Sequence, residues 1–538
     1  MTADRPRLEV YDTTLRDGAQ QEGLSLSVLD KLAIARHLDD LGVGVIEGGW
    51  PGAIPKDTEF FARAADELSL RHARLAAFGA TRRAGGQAHS DPQVRALLDS
   101  RAPVVTLVAK SHTGHVEKAL RTTTAENLEM VRDTVSFLVR EGREVVLDAE
   151  HFFDGYVLDR AYALEVLQVA LAAGASTVAL CDTNGGHLPR AVADVVADVQ
   201  DATGGRLGIH CHNDTGCAVA NTLAAVDAGA VQVQGTLNGY GERTGNADLV
   251  TVVANLELKR DQPVLPPGGL REASRVAHAV SEITNVPPYS RQPYVGASAF
   301  THKAGLHASA IRVDPDLYQH VDPTEVGNDM RMLVSEMAGR ASIELKGREL
   351  GLDLSEPALL GAVTDAVKTR EAEGYTFEAA DASFDLLVRR VAEGLGQADG
   401  VPDYFHVDSW RVITEMRPGA GHGGATSEAT VRLVTGGSRA VATGEGNGPV
   451  NALDAALRTA LTPTYPELDE LELIDFRVRI LDASHGTDAV TRVLLETADD
   501  GSTWTTVGVG PNVVEASWEA LVDGLAYGLL RRGVGSRA

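Results

Sequence analysis

Two histidines, His210 and His212, stand two residues apart in an otherwise apolar run, GIHCH. Side chains two apart on a β-strand project from the same face, so the sequence places two imidazoles side by side. Such histidines are often core residues with a satisfied hydrogen bond, and the pair alone leaves open whether it binds a metal. The surroundings favour chemistry, because a polar loop, a helical segment and a second apolar run follow, and that run ends in a polar cluster that reaches Asn246.

Polar or charged residues also follow several other short apolar runs. The clusters are TLRDGAQ at residues 14–20, EGGWP at 47–51, DAEH at 148–151 and DTNGG at 182–186. In parallel α/β proteins the carboxyl ends of the strands meet at one edge, where catalytic residues lie. One polar cluster at a strand–loop junction is commonplace. Six of them, counting those that contain His210 and Asn246, predict an active site.

Four of these residues offer ligand atoms for a metal ion. Asp17 supplies a carboxylate, His210 and His212 supply imidazoles, and Asn246 supplies an amide oxygen. A mixed set of nitrogen and oxygen ligands suits Mg²⁺, Mn²⁺ or Zn²⁺, whereas a closed structural zinc site favours thiolates. A coordination position left open for substrate predicts Lewis-acid catalysis, in which a 2-oxo acid chelates the metal through its carboxylate and keto oxygens.

Three further residues of the same clusters fit that reaction. Arg16 would stabilise the oxyanion that develops on the keto group. Thr183 is placed to hydrogen-bond the substrate carboxylate. Glu150 is a candidate for the acid–base work of making an enol from a second substrate.

Eight short apolar runs alternate with segments of helical period, such as 28–41 and 125–140, at intervals of roughly 25 to 40 residues. This alternation predicts an α/β fold, a (β/α)₈ TIM barrel, rather than an open doubly wound sheet. No GxGxxG follows the first run and no GxxxxGK[ST] occurs, so phosphate-loop interpretations lack support. The eight runs are residues 8–15, 43–48, 74–79, 104–109, 144–149, 177–181, 207–211 and 230–235.

The composition is that of a globular protein with an acidic surface. The 538 residues include 49 Lys and Arg against 75 Asp and Glu, a formal net charge of −26. This charge argues against a nucleic-acid or anionic-membrane partner. No apolar run reaches about 18 residues and the N-terminus has no signal-peptide core, so we expect a cytoplasmic location. The three cysteines, Cys181, Cys211 and Cys217, show no CxxC pattern and are expected to be small core residues.

Beyond the barrel the sequence changes character twice. We expect a catalytic domain over residues 1–268, helical linker subdomains over 269–395 and a C-terminal α+β domain over 396–538. The last part holds two similar units, GEGNGPVNALDAALRTAL and GVGPNVVEASWEALVDGL, each with a strand, a Gly-rich turn and a helix. The N-termini of these helices are places for an anionic group, and a structural repeat that only dimerises is the alternative.

Five motifs carry a resemblance to a known family. They are TTLRDGAQ, CDTNGG, GIHCHNDTGCAVAN, NGYGERTGNADL and FTHKAGLHASA, in this order. Together they resemble the metal-dependent alkylmalate synthase family, which comprises 2-isopropylmalate, homocitrate and citramalate synthases. The resemblance covers roughly the first 400 residues, and the tail is similar to the family's regulatory domain less specifically. The sequence around RDGAQ, IEGGWPGA and FFDGY is most similar to the citramalate branch.

The resemblance implies an acyltransferase that condenses acetyl-CoA, as co-substrate, with a 2-oxo acid, which is pyruvate in the citramalate branch. It implies Mg²⁺ or Mn²⁺ as the cofactor, with Zn²⁺ as an alternative. It implies metal ligands at four positions: Asp17, His210, His212 and Asn246. It also implies residues that contact the substrate or act in acid–base catalysis at four positions: Arg16, Gln20, Thr183 and Glu150.

The segment after the barrel adds two residues. On spacing alone, His302 and His307 are surface histidines of a helix, and a pair five apart does not share one helix face. By the resemblance, His307 matches an acid–base histidine that acts in the active site of the neighbouring subunit, and Tyr318 lines the same site. The resemblance therefore implies a homodimer. It also implies that the tail binds an amino-acid effector, isoleucine or leucine.

Four functions are weighed against these residues. The first is a citramalate synthase of isoleucine biosynthesis. The second is a lyase on a similar barrel, which the long tail with its repeat argues against. The third is a 2-isopropylmalate or homocitrate synthase, which takes 2-oxoisovalerate or 2-oxoglutarate through the same metal site. The fourth is a non-catalytic binding or scaffold protein, which the complete set of chelating and acid–base residue types argues against.

Overall fold

The computed structural model of the chain describes residues 8–303, 305–333, 340–396, 400–416, 425–481 and 489–537. The chain divides into two compact units. The first extends to Phe300 and includes Val321–Asp329, and the second comprises Thr301–His320 and the residues from Met330 onward. The predicted domain boundaries at residues 268 and 395 stay predictions.

The first unit is built on a closed barrel of eight parallel strands, as predicted. The strands pair in sequence order, and the eighth pairs with the first. Several of them are buried along their whole length, because a parallel barrel is covered by helices outside and filled by side chains inside. The strands are β1 (Glu9–Asp12), β2 (Val45–Gly49), β3 (Arg74–Ala80), β4 (Val104–Lys110), β5 (Glu144–Glu150), β6 (Thr177–Asp182), β7 (Leu207–Cys211) and β8 (Gln232–Gly235).

Eleven α-helices are described in the first unit, and each predicted helical segment lies on one of them. They are α1 (Val28–Leu41), α2 (Pro55–Glu67), α3 (Pro92–Asp99), α4 (Thr113–Lys118), α5 (Thr124–Arg140), α6 (Phe152–Leu158), α7 (Arg160–Ala172), α8 (Pro189–Thr203), α9 (Ala218–Asp227), α10 (Leu249–Arg260) and α11 (Ala273–Thr284).

Local sequence signals set the ends of the first barrel helix. Ser27 and Asp30 form a capping box that satisfies backbone amides at the start of α1. The helix ends at Gly42 in the left-handed region, with φ of 96°. A Cβ atom there would lie 2.2 Å from Cδ of Pro266, so both the backbone angle and the packing require glycine.

The second unit begins with small elements and helices. Two short strands, β9 (Thr301–His302) and β10 (Arg331–Met332), pair in parallel. The helices are α12 (Gly305–Ile311), α13 (Arg340–Glu349), α14 (Pro357–Ala372) and α15 (Asp381–Gly394). Helices α13, α14 and α15 lie in the region predicted to form helical linker subdomains.

The rest of the second unit is a repeated α+β module, which confirms the predicted class. Each copy is an antiparallel three-stranded sheet followed by a helix. The first contains β11 (His406–Met416), β12 (Ala425–Thr435), β13 (Ser438–Gly446) and α16 (Pro449–Leu461). The second contains β14 (Glu472–Ile480), β15 (Thr491–Asp499), β16 (Ser502–Gly510) and α17 (Val513–Arg531).

The glycines that mark these repeats have a packing role. A Cβ atom on Gly444 would lie 2.4 Å from the backbone nitrogen of Ala456, and one on Gly508 would lie 2.0 Å from the carbonyl oxygen of Ala516. The strands therefore need glycine because a helix crosses them at close range. Of the helices that the structure describes in either unit, none combines the length and the apolar character that crossing a bilayer requires.

Candidate active site

Three potential metal ligands meet at the carboxyl edge of the barrel. His210 lies on β7, His212 follows that strand directly, and Asp17 follows β1. The Oδ2 atom of Asp17 is 3.0 Å from Nε2 of His210 and 3.7 Å from Nε2 of His212. All three side chains are buried, and one ligand atom from each lies within 4.8 Å of the others. The structure thus brings these three predicted residues together.

Asn246 lies beside this cluster. Its backbone forms an isolated antiparallel bridge with His212. Its Nδ2 donates to the carbonyl oxygen of Tyr240 at 2.9 Å. Its Oδ1 is buried and has no hydrogen-bond partner among the described residues. A buried acceptor without a donor is unfavourable unless something else binds it, so this oxygen, with the carboxylate and two imidazoles, fits a divalent cation.

The three clustered donors differ in protonation. Burial opposes ionisation of Asp17, but the charge of Arg16 and the hydrogen bond from His210 bring the pKa of Asp17 well below its usual range. Burial also opposes protonation of His210, yet its hydrogen bond to Asp17 raises its pKa. For His212, burial and the nearby His210 lower the pKa to about 4. The site therefore presents a carboxylate and a neutral imidazole, the forms that bind a metal.

Arg16 is held in place by residues on neighbouring strands. Its Nε donates to Oε1 of Glu47 at 2.5 Å, and its guanidinium carbon lies 4.0 Å from the ring centroid of Phe78. Tyr11 donates from its hydroxyl to the other oxygen of Glu47 at 2.7 Å. The guanidinium stays charged although it is buried, because burial would lower the pKa of Arg16 but Glu47 and Asp17 raise it.

A cavity of 120 Å³ opens beside these groups. Seven of the residues singled out in the sequence line it: Arg16, Asp17, Gln20, Glu150, Thr183, His210 and His212. The cavity wall also includes two apolar side chains, Phe78 and Val108, and the side chains of Asp148 and Cys181. Residues from five of the six predicted polar clusters therefore line one cavity at the barrel mouth. The sixth cluster, residues 47–51, does not line it, although Glu47 of that cluster bonds Arg16.

Glu150 and Thr183 are tied to their neighbours. Glu150 forms an ion pair with Lys110, which ends the adjacent strand β4. Thr183 accepts a hydrogen bond on Oγ1 from the backbone N–H of His151 at 2.8 Å. The carbonyl oxygen of Thr183 accepts from Nη2 of Arg243, also at 2.8 Å. These contacts link residues at the carboxyl ends of β4, β5 and β6.

Three imidazoles lie close together next to Glu150, with their rings tilted relative to one another. The ring centroids of His112 and His115 are 4.6 Å apart, and those of His115 and His151 are 4.1 Å apart. Burial, together with the nearby His115 and Lys110, lowers the pKa of His151 from 6.5 to about 4. His151 is in the left-handed backbone region, with φ of 56°.

This pKa shift predicts a pH-dependent stability. Between pH 4 and 6.5 the unfolded chain protonates His151 and the folded chain does not, so the unfolding free energy falls as the pH falls. We expect His151→Asn, which tolerates a positive φ, to reduce that fall by about 1–2 kcal/mol, a value discounted for partial exposure. Urea unfolding at pH 5 and pH 7 measures it. Identical pH dependence of the variant and the parent protein would contradict the expectation.

His307 and Tyr318 belong to the second unit. Their rings are stacked with centroids 4.2 Å apart, and the ring of His302 lies 6.0 Å from that of His307. His302 is on β9 and His307 is on α12, so the expectation that both are histidines of one helix is wrong. The predicted action of His307 in a neighbouring subunit stays a prediction.

Comparison with known proteins covers nearly the whole chain. The HMGL-like family matches residues 7–278, the homocitrate synthase post-HMGL domain-like family matches 294–374, and the LeuA allosteric (dimerisation) domain matches 378–529. The chain is 64% identical to the (R)-citramalate synthase of Streptomyces coelicolor, over 98% of this chain and 97% of that protein. The chain belongs to the (R)-citramalate synthase family. The predicted family membership is thereby confirmed.

Two other relatives show how sequence identity differs between citramalate synthases and 2-isopropylmalate synthases. The (R)-citramalate synthase of Aquifex aeolicus is 48% identical over 98% of each chain. The 2-isopropylmalate synthase of Pyrococcus furiosus is 30% identical over 96% of this chain and 98% of that protein. Among these relatives the similarity is thus higher to the citramalate synthases.

The structure adds residues to the site that the sequence did not single out for a role. Glu47 and Phe78 contact Arg16, and Gln234 on β8 contacts Nδ1 of His210 at 3.1 Å. One signal was present, because β8 reads QVQG and places the amides of Gln232 and Gln234 on the same face of the strand. For Phe78, nothing in the sequence distinguishes an arginine-stacking ring from a core residue.

Proposed function

We propose that this chain is an (R)-citramalate synthase, which condenses acetyl-CoA with pyruvate and releases citramalate and CoA. The observation that carries the proposal is sequence identity of 42–64% to five (R)-citramalate synthases over 97–98% of the chain. The cluster of Asp17, His210 and His212 in a cavity of 120 Å³ supports it, because a small 2-oxo acid and a divalent cation fit that chemistry.

In this proposal four residues hold a divalent cation: Asp17, His210, His212 and Asn246. Their donor set fits Mg²⁺ or Mn²⁺, and Zn²⁺ is the alternative. When bound, the cation polarises the keto group of the 2-oxo acid and orients it. The buried Oδ1 of Asn246 and the low pKa of His212 support this assignment.

The remaining residues bind the substrate and move protons. The guanidinium of Arg16 stabilises the negative charge that develops on the keto oxygen as the new carbon–carbon bond forms. Thr183 and Gln20 orient the pyruvate carboxylate. Glu150 accepts a proton from the methyl group of acetyl-CoA, and the resulting enolate carbon attacks the keto carbon. Water then cleaves the thioester and CoA leaves.

Residues from a second subunit complete the proposed site. His307 exchanges a proton in the neighbouring barrel and Tyr318 lines that site, so the active form is a homodimer. The match of residues 378–529 to the LeuA allosteric (dimerisation) domain supports the dimer and an amino-acid effector, for which we propose isoleucine. A cytoplasmic location, expected from the sequence, remains part of the proposal.

A thiol-release assay tests the proposed activity. Free CoA is measured with acetyl-CoA, Mn²⁺ or Mg²⁺, and one of pyruvate, 2-oxobutyrate, 2-oxoisovalerate or 2-oxoglutarate, each with and without isoleucine or leucine. We expect CoA release with pyruvate and suppression of that release by isoleucine. Preference for 2-oxoisovalerate with inhibition by leucine would instead establish a 2-isopropylmalate synthase. Absence of CoA release with every acid would return the lyase to consideration.

A complementation experiment tests the shared site. Arg16→Met and His307→Ala subunits are each expected to be inactive, but a mixed dimer contains one barrel with an intact Arg16 that receives an intact His307. Co-expression of the two variants should therefore restore about a quarter of the parental activity. Co-expression of Arg16→Met with His212→Ala is the control and should restore none. Equal failure of both pairs would show that His307 does not act across subunits.

A further inference from the structure

A column of polar side chains runs through the barrel interior, from the cluster of Asp17, His210 and His212 towards the opposite end. Nδ1 of His210 lies 3.1 Å from Oε1 of Gln234. Nε2 of Gln234 lies 3.2 Å from Oε1 of Gln232, and Nε2 of Gln232 lies 2.8 Å from Oε2 of Glu9. Arg74 in turn pairs with Glu9 at 2.9 Å. Both glutamines are fully buried.

The charged end of the column fixes the orientation of each amide. The carboxylate of Glu9, paired with Arg74, only accepts hydrogen bonds, so the end of Gln232 that faces it must be the NH₂ group. The oxygen of Gln232 then faces Gln234. The end of Gln234 that meets this oxygen must also be an NH₂ group.

A second acceptor gives the same orientation independently. Oδ1 of Asp148 lies 2.9 Å from Nε2 of Gln234. Gln234 thus directs its NH₂ group at two acceptors, and its remaining polar atom, the carbonyl oxygen, faces His210. A carbonyl oxygen only accepts, so Nδ1 of His210 must carry the proton in this contact.

We infer that Gln234 is a positioning residue that holds His210 in the tautomer with the proton on Nδ1 and the lone pair of Nε2 directed at the metal. This inference rests on the proposed metal centre. Nε2 of His210 faces Oδ2 of Asp17 at 3.0 Å and donates a hydrogen bond to it, so a metal that binds between these two atoms takes the place of the Nε2 proton. Histidine ligands of metals depend on such partners for tautomer and ring orientation.

Simple filling of the barrel does not account for an amide at this position. Part of the interior is filled by apolar side chains, including Val45, Ala76, Val104 and Val146. Other buried polar side chains there, Glu47 and Thr106, are hydrogen-bonded to Tyr11. A buried amide is favourable only when its hydrogen bonds are made, and Gln234 makes one to each of three side chains. An apolar residue would fill the same space without that requirement, but it would leave Nδ1 of His210 without an acceptor.

The test compares Gln234→Met with Val104→Ala, which changes barrel packing away from His210. Mn²⁺ affinity is measured by electron paramagnetic resonance, without substrate. We expect Gln234→Met to weaken Mn²⁺ binding about 10- to 100-fold and Val104→Ala to leave it within about twofold. Unchanged affinity in Gln234→Met, or equal losses in both variants, would overturn the inference.

A spectroscopic measurement covers the case in which Gln234→Met does not fold. In the Mg²⁺-saturated parent protein labelled with ¹⁵N-histidine, His210 should give a downfield proton signal on Nδ1 and none on Nε2. A proton on Nε2 would overturn the inference. Neither measurement needs turnover, so a protein that binds Mn²⁺ as expected but releases no CoA would refute the proposed function and leave the role of Gln234 intact.

Discussion

His212→Ala is expected to abolish CoA release, by at least about 10³-fold, in a protein that still folds. The imidazole supplies one of three clustered donors, and no other described nitrogen or carboxylate joins Asp17 and His210 in that group. Its low pKa, about 4, means that it is available as a neutral ligand throughout the physiological range. Its removal should therefore impair metal binding at every pH in that range.

The fold should survive this change because His212 contributes little internal hydrogen bonding. Its Nδ1 has no partner among the described residues, and its Nε2 lies 3.7 Å from Asp17, beyond hydrogen-bond distance. Replacement by alanine then removes packing only, which we expect to lower the unfolding free energy by about 1–2 kcal/mol.

His302→Ala is the matched control. His302 is also a partly buried histidine, but it lies on β9 in the second unit and is not one of the clustered donors. We expect a mild effect on CoA release and none on Mn²⁺ binding measured by electron paramagnetic resonance. The opposite pattern, with an active His212→Ala and an inactive His302→Ala, would refute the assignment of the site.

The eight-stranded barrel and the clustered donors were predictable from local pattern. Short apolar runs that alternate with helical segments predict the barrel. Two residues that lie two positions apart on a strand project from the same face. His210 and His212 satisfy that rule directly. Asp17 joins them because parallel strands present their carboxyl ends on one edge, which holds without knowledge of the exact register.

The partners of the clustered residues were not predictable in this way. Gln234 meets His210 across 24 residues of sequence, and Glu47 meets Arg16 across 31. Each contact depends on which residues of neighbouring strands face each other after the barrel closes. Polar residues at strand ends are common, so the sequence shows that Glu47 is near the rim but not which side chain it holds.

The C-terminal repeat shows a different limit. Glycines in GEGNGP and GVGPN indicated turns before helices, and they suggested places for an anion. In the structure, Gly444 and Gly508 are needed for packing, because helices cross the strands closely at these positions. A glycine pattern therefore does not by itself separate a binding turn from close packing.

Arg16→Met is the second variant for which we expect a large loss. At saturating Mn²⁺ its kcat should fall about 10²- to 10³-fold, the usual effect of removing a donor to a developing oxyanion. Arg16→Lys keeps the charge but not the planar group that bonds Glu47 and stacks on Phe78, so it should restore little of the activity. Removal of a contact made only in the transition state lowers kcat and kcat/KM equally.

Stability has to be separated from catalysis in this experiment. Arg16→Met leaves Glu47, which is fully buried, with an unpaired charge, and such a charge destabilises a protein by about 3–5 kcal/mol. The double variant Arg16→Met/Glu47→Gln removes that charge and should recover most of the stability while kcat stays low. If the double variant recovered kcat together with stability, Arg16 would be a structural partner of Glu47 and would have no role in stabilising the oxyanion.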